Sequence, residues 1–301
     1  MKVIGIIRDS RYSPNMGEAD AAIFEAVATR LEARGHTVTR LTDEQFLNAF
    51  PDDNPTYDPA IEELVGQAER IFTMSRDSST CAMLDVVERF DKTPCINSGR
   101  GVSACANRHQ IYALLKAEGV AQPETWFGSL YKDRWPNDPE DAYSLSERLQ
   151  YPLWMKRGDG HSQVKEDVVL VTDVAQAQEA LKAFSARNVG EVAISQHLEG
   201  DLVKFYGVAG TDFFDWDYAD LTHSKFGMEV HNGPMNRFPF DAQRLQECCQ
   251  LVAEKAGVPV YGGDAIVQAD GSWYIIDFND WPSFSRCRDK AADAIVEIIE
   301  K

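Results

Sequence analysis

The 301-residue sequence is short of positive charge: 30 Lys and Arg stand against 48 Asp and Glu, a formal net charge of −18. No stretch concentrates the basic residues, so a nucleic-acid backbone would be repelled. Any anionic ligand must instead be received by a local pocket of Lys, Arg, backbone N–H groups or metal. Paired cysteines are missing too. Cys81, Cys95, Cys105, Cys248, Cys249 and Cys287 form no C-x-x-C and no Cys/His spacing that would wrap zinc, so the expectation is reduced thiols in a cytoplasm. Nowhere do about 18 apolar residues run together, and Val3-Ile4-Gly5-Ile6-Ile7 opens the chain without the basic start and long apolar stretch of a signal peptide. Internal repeats and low-complexity tracts are absent.

What is there suits two globular domains: 44% hydrophobic and 10% aromatic residues can bury a substantial core. Val3–Ile7, His36–Leu41, Arg70–Met74 and Pro94–Asn97 read as strands, with helices over Glu18–Arg34, Ile61–Ala68 and Ala82–Phe90. That alternation predicts a parallel sheet flanked by helices. A helix at about Asn107–Glu118 follows, ended by Gly119. Strands at Pro152–Lys156, Val168–Val171 and Glu191–His197 with a helix at Asp173–Ser185 then predict a compact α+β unit. The remainder offers strands at Leu202–Val208 and Phe213–Trp216, a helix at Asp241–Ala256 and a hairpin from Gly263 to Asn279.

The hairpin carries the sharpest chemical signal. Asp270-Gly271 marks its turn, with Asp264 six residues before Asp270 and Asp277 seven after it, so antiparallel pairing brings the two carboxylates close. Asp277 and Asn279 alternate with Ile276 and Phe278 and so project to one side. Two carboxylates and an amide oxygen suit magnesium, which completes its octahedron with water and phosphate oxygens. Acids near a turn also serve as plain solvated surface. Here Ile266, Trp273, Tyr274, Ile275, Ile276 and Phe278 crowd around them, which an exposed hairpin would not need.

This pattern resembles the ATP-grasp superfamily, whose members include D-alanine–D-alanine ligase, glutathione synthetase and the glutamate-adding ligases. Those enzymes place an Asp on one strand and Glu-x-Asn on the next, followed by Pro. Asp264, Asp277, Asn279 and Pro282 take those places, with Asp277 where Glu is usual, which leaves one or two metals open. The resemblance implies an α/β N-terminal domain (parallel sheet with flanking helices, residues 1–97) followed by an α+β ATP-grasp fold over 98–301, its lid at about 122–197.

The resemblance also implies a nucleotide pocket. Lys156, closing Tyr151-Pro-Leu-Trp-Met-Lys156, would bind phosphate, and the loop Arg157–Ser162 would close over it through Gly158, Gly160 and Ser162. Asp159 and His161 are unusual in such a loop. Gln196 and Leu198 would meet adenine, Glu199 or Asp201 the ribose, and Lys204 and Arg108 the phosphates. Lys156, Lys204 and Arg108 become the expected catalytic cations and Asp264, Asp277 and Asn279 the metal ligands. ATP with Mg2+, or Mn2+ in its place, would be the cofactors.

The implied activity is ADP-forming carbon–nitrogen ligation of a small amino-acid or peptide-like substrate through an acyl phosphate. A small-molecule kinase on the same fold is the alternative, ranked lower because this acidic chain lacks a dense Lys/Arg field. The expected partners are a small molecule or peptide, with neither nucleic acid nor membrane; a homodimer stays open. Arg8, Arg11 and Asn15, and Arg76-Asp77-Ser78-Ser79, follow strands of the first sheet, on the usual ligand side. Glu18 opens the first helix where D-alanine–D-alanine ligases carry an acid for the substrate amine, although the helix dipole alone favours Glu there. Gly262-Gly263 stand where those ligases carry an oxyanion-binding Arg, which argues against D-alanine–D-alanine ligase itself.

Overall fold

The computed structural model describes residues 1–12, 17–51, 54–131, 140–160, 162, 164–219 and 235–301. Four strands, β1 (Lys2–Ile6), β2 (Thr37–Leu41), β3 (Arg70–Thr73) and β4 (Cys95–Ile96), form a parallel sheet in the order β2-β1-β3-β4. Helices α1 (Gly17–Ala33), α2 (Asp43–Leu47), α3 (Pro59–Gly66) and α4 (Ser78–Phe90) connect them. Parallel strands covered on both faces read as apolar runs, and Val3, Ile4, Ile6, Ile71 and Phe72 are accordingly buried. Two further helices follow, α5 (Gly99–Ala106) and α6 (Arg108–Ala117).

The second sheet runs β6-β5-β9-β7-β8, built from β5 (Thr125–Ser129), β6 (Glu140–Asp141), β7 (Leu153–Arg157), β8 (Val168–Val171) and β9 (Glu191–Gln196). Helices α7 (Ala142–Arg148) and α8 (Val174–Ala186) share its core through Leu145, Leu181 and Phe184. The third sheet is antiparallel, β11-β10-β12-β13, from β10 (Asp201–Val208), β11 (Phe214–Tyr218), β12 (Val260–Val267) and β13 (Trp273–Asp280). Between β11 and β12 lies α9 (Ala242–Ala256), and α10 (Arg288–Glu300) follows β13. Among the described residues no helix is long and apolar enough to cross a membrane.

Caps explain several boundaries. Asp77, Ser98, Asn107, Asp173 and Asp241 each accept a backbone N–H from the first turn of the helix they precede. The observed elements differ from the expected ones at α2, α5, β5, β6, α7 and α10, which the sequence reading left out. For α5 the reason is physical: a Gly-Arg-Gly start is a poor helix signal. Its glycines serve close packing instead, since a Cβ at Gly99 would lie 1.9 Å from the Cys81 carbonyl oxygen and one at Gly101 would lie 2.4 Å from that of Ala256.

The cores do not follow chain order. Ala291, Ile295, Val296 and Ile299 of α10, together with Trp281 and Phe284, share one cluster with Val3, Ile23, Phe24, Val27, Leu31 and Phe72. The last helix therefore closes the hydrophobic core of the first sheet. Each such side chain contributes roughly 1.5–3 kcal/mol by leaving water.

Candidate active site

The site begins with a bulge in β13. Asp264 of β12 pairs with Asp277, but the next pair is Ala265 with Ile275, so Ile276 is an extra residue opposite nothing. A bulge leaves its residue outside the ladder and re-aims its neighbours. The Ile276 carbonyl is thereby released, and it accepts Lys156 Nζ at 2.9 Å and the Tyr112 hydroxyl at 3.0 Å. Lys156 is the penultimate residue of β7, so the bulge carbonyl joins the second sheet to the hairpin.

Asp277, turned by the bulge, lies at the centre of the charges. Arg108 Nη1 reaches its Oδ1 at 2.7 Å, and Asn279 Nδ2 donates to its Oδ2 at 3.0 Å. Across the ladder Asp264 is flanked by Lys204 of β10, with Nζ 3.6 Å from Oδ1. Burial works to raise the Asp277 pKa, yet Arg108 and then Lys156, with the Asn279 amide, hold that carboxyl well below the usual range. Burial pushes the Lys156 ammonium down to about 8, Arg108 adds to this, and Asp277 and Asp264 oppose it. Arg108, Lys156, Lys204, Asp264, Asp277 and Asn279 are thus brought together.

The donor set fits a hard cation. No cluster of three or more His, Cys, Asp or Glu is present among the described residues, so a metal would take Asp264, Asp277 and the amide oxygen that Asn279 keeps free of Asp277. Magnesium needs no more from protein when waters and phosphates complete it.

The segment after β7 is anchored through Gly158 and Asp159. Gly158 N donates to the Glu191 carbonyl at 2.8 Å, and the Gly158 carbonyl accepts Arg108 N at 3.1 Å. A Cβ at Gly158 would lie 2.9 Å from the Glu191 oxygen, so this glycine serves close approach to β9. Asp159, unexpected in the sequence pattern, holds the turn: it accepts Arg157 Nε at 2.7 Å and Gly190 N at 2.7 Å. Ser162 Oγ accepts Arg108 Nη2 at 3.3 Å. Gly160 makes no close approach that a Cβ would disturb, and His161 lies outside the described residues.

At the hinge after β9, Gln196 is exposed and its N–H is spent on Glu124, while among the described residues no backbone hydrogen bond uses Leu198. The two candidate ribose acids separate. Asp201 is 3% exposed and accepts the Asn236 and Phe238 N–H groups at 2.7 Å each, which fixes that segment. Glu199 is exposed.

The residues offered for substrate fare differently. Arg11 is exposed and pairs with Asp9, Glu18 is exposed, and Asn15 lies outside the described residues. Asp77 caps α4, and Ser78 and Ser79 are exposed in its first turn. Arg8 and Arg76 turn inward onto Asp280. A Cβ at Gly262 would lie 2.8 Å from Pro282 Cγ, and one at Gly263 would lie 2.2 Å from the Asp277 carbonyl oxygen, so neither position has room for an arginine. Sequence reasoning missed Tyr112, Asp280 and Asp20. Only Asp280, a second carboxylate beside Asn279 at the end of β13, left a local signal.

No family model and no curated protein sequence matches the chain. Solved structures do. An ATP-bound D-alanine–D-alanine ligase from Bacillus anthracis aligns over 99% of this chain and 96% of its own at TM-score 0.62 and 13% identity. VanG D-Ala:D-Ser ligase from Enterococcus faecalis aligns over 99% of both chains at 0.67 and 14%, and a RimK domain ATP-grasp protein from Sphaerobacter thermophilus over 100% of both at 0.65 and 14%. The chain shares the fold of these solved structures.

Proposed function

We propose that the protein is an ATP-dependent ligase that joins a carboxylate to an amine on a small amino-acid or peptide-like substrate. The observation that carries this reading is the pairing of Asp264 with Asp277 beside Asn279, ringed by Lys156, Lys204 and Arg108. Three cations against two carboxylates make a locally positive site in a chain of net charge −18, as a polyphosphate requires. Two of the similar solved structures are named as ligases of D-alanine with a second amino acid, which supports the substrate class.

The chemistry then asks for position and charge balance more than for a protein nucleophile. A substrate carboxylate oxygen bonds to the γ-phosphorus as the bond to the bridging oxygen of ADP breaks. The amine nitrogen next attacks the acyl carbon, phosphate leaves, and the amine loses a proton. Magnesium, held by Asp264, Asp277 and Asn279, would supply Lewis-acid neutralisation of the phosphate oxygens. Lys156 and Lys204 would hold the phosphates, and Arg108 would exchange part of its contact with Asp277 for a phosphoryl oxygen. Glu199 is the ribose acid in this reading, because Asp201 is spent on backbone.

The last point has its own test. Glu199→Gln should raise the ATP concentration for half-saturation about tenfold at unchanged melting temperature, the loss of one charged hydrogen bond. Asp201→Asn should lower stability by about 1–3 kcal/mol through two weakened backbone contacts. The opposite pattern in ATP titrations and thermal melts would return the ribose to Asp201.

The ligase reading is tested by trapping. With ATP, magnesium and panels of amino acids and short peptides, the correct carboxylate should give little ADP alone and a hydroxamate when hydroxylamine replaces the amine. A stable phosphorylated alcohol as product, with no hydroxamate from any carboxylate, would establish a kinase instead.

A further inference from the structure

Asp280 is a buried charge without an obvious duty. It is 0% exposed, follows Asn279 directly, and is held by two arginines that reach out from the first sheet. Arg76, just past β3, places Nε at 3.1 and 3.3 Å from the two carboxylate oxygens and Nη2 at 3.1 Å from the Asp280 carbonyl. Arg8, just past β1, places Nη2 at 3.4 Å from Oδ2 and at 2.8 Å from the Trp281 carbonyl. Its remaining nitrogens go to the Met74 carbonyl at 3.0 Å and to Asp20 of α1 at 3.2 Å.

The next residue shows what this grip holds in place. Trp281 has φ +25°, a left-handed backbone that a bulky residue rarely adopts. Its ring is fully buried and stacked on Phe72 of β3, with centroids 5.9 Å apart. A strained backbone persists only where its surroundings over-determine it. If adhesion alone were at stake, apolar residues would serve as well as a buried ion network, which costs several kcal/mol of desolvation per charge. Charged forks add direction: they fix where the strand carrying Asp277 and Asn279 leaves the sheet.

We propose that Arg76, assisted by Arg8, is a positioning residue for metal binding. Acting through Asp280, it lets the N-terminal sheet set the placement of Asp277 and Asn279 relative to Asp264. The proposal rests on the ligase reading in so far as those three residues hold the metal. It goes beyond that reading by making metal affinity depend on a residue of the other domain that touches neither metal nor nucleotide.

The test measures Mn2+ bound to the protein with ATP, from the free-Mn2+ electron paramagnetic resonance signal, on the full chain without turnover. Arg76→Gln should weaken Mn2+ in the ATP complex about tenfold or more, the usual effect of losing an outer partner of metal ligands. Arg76→Lys, which keeps the charge but loses the fork, should recover part of the affinity. Arg30→Gln is the control: it removes surface pairs to Asp289 and Asp293 of α10, also across the junction with α1, and should leave Mn2+ binding within about twofold. If Arg76→Gln does not fold, Asp280→Asn is read in its place and should weaken Mn2+ likewise. Wild-type affinity in a folded Arg76→Gln or Asp280→Asn protein overturns this proposal alone. Failure of the wild-type protein to bind Mn2+ with ATP overturns it together with the ligase reading.

Discussion

Replacing Asp277 with Asn is expected to lower ATP turnover roughly thousandfold while the protein still folds, a loss on the scale of removing a directed transition-state contact. The carboxylate that holds Arg108 is also the proposed metal ligand, so the substitution would act twice. As a ligand, the amide offers one neutral oxygen where magnesium prefers an anionic one. As a partner, it leaves Arg108 without its 2.7 Å contact, which should cost about 1–3 kcal/mol of stability in the nucleotide-free protein. ATP phosphates would restore a counter-charge to Arg108, so the stability gap should narrow when ATP is added without metal. ADP release at saturating magnesium and melts with and without ATP measure both effects. Wild-type turnover in the folded variant would remove Asp277 from the site.

Lys156→Met should weaken ATP binding about a hundredfold, since no other group reaches from β7 to the bulge carbonyl. The pH dependence identifies the ammonium itself. In the free protein it titrates at about 8, whereas bound phosphate would favour the charged form, so the complex holds more protons than free protein above that pH. ATP affinity should therefore be highest below pH 8 and fall as pH rises through it. Lys156→Met should show weak binding with no such fall. Lys156→Arg, which keeps its proton, should also lose the dependence. Calorimetric titrations between about pH 6.5 and 9.5 decide this, and a Lys156→Met profile parallel to wild type would place the titration elsewhere.

The hairpin and the closeness of its two acids were legible because their signal is local. Asp270-Gly271 marks the turn, and the spacing brings Asp264 close to Asp277; the ladder nearest the turn, Val267 with Trp273, would run on to Ile276, and the bulge is what sets Asp264 opposite Asp277. The bulge was not legible, because Tyr274-Ile275-Ile276-Asp277 looks the same whether Ile276 pairs or is left over. Only the partner strand decides. The clamp on Asp280 was hidden by distance, its arginines standing 272 and 204 residues away in sequence. Glu18 and Asp20 show the same limit. Sequence position suggested a role in substrate binding for Glu18, yet the buried acid of α1 is Asp20, which meets Arg8. Asp159 was read as a departure from a phosphate loop, and its contacts with Arg157 and Gly190 show a turn-holding role that a consensus does not encode.

The packing of α10 into the first sheet's core bears on how the chain is made. Val3, Phe24 and Phe72 leave the ribosome well before the side chains that cover them, from Trp281 to Ile299. Domains generally fold as units in order of synthesis, but here the core of the first sheet stays open on one side until α10 has emerged. Contacts between such distant segments slow folding, because a long loop must close before any apolar area is gained. The exposed flank of α1 is then a surface on which chaperones would bind during synthesis. Nascent chains arrested before α10 should be sensitive to protease in the first sheet as well as at the stalled end.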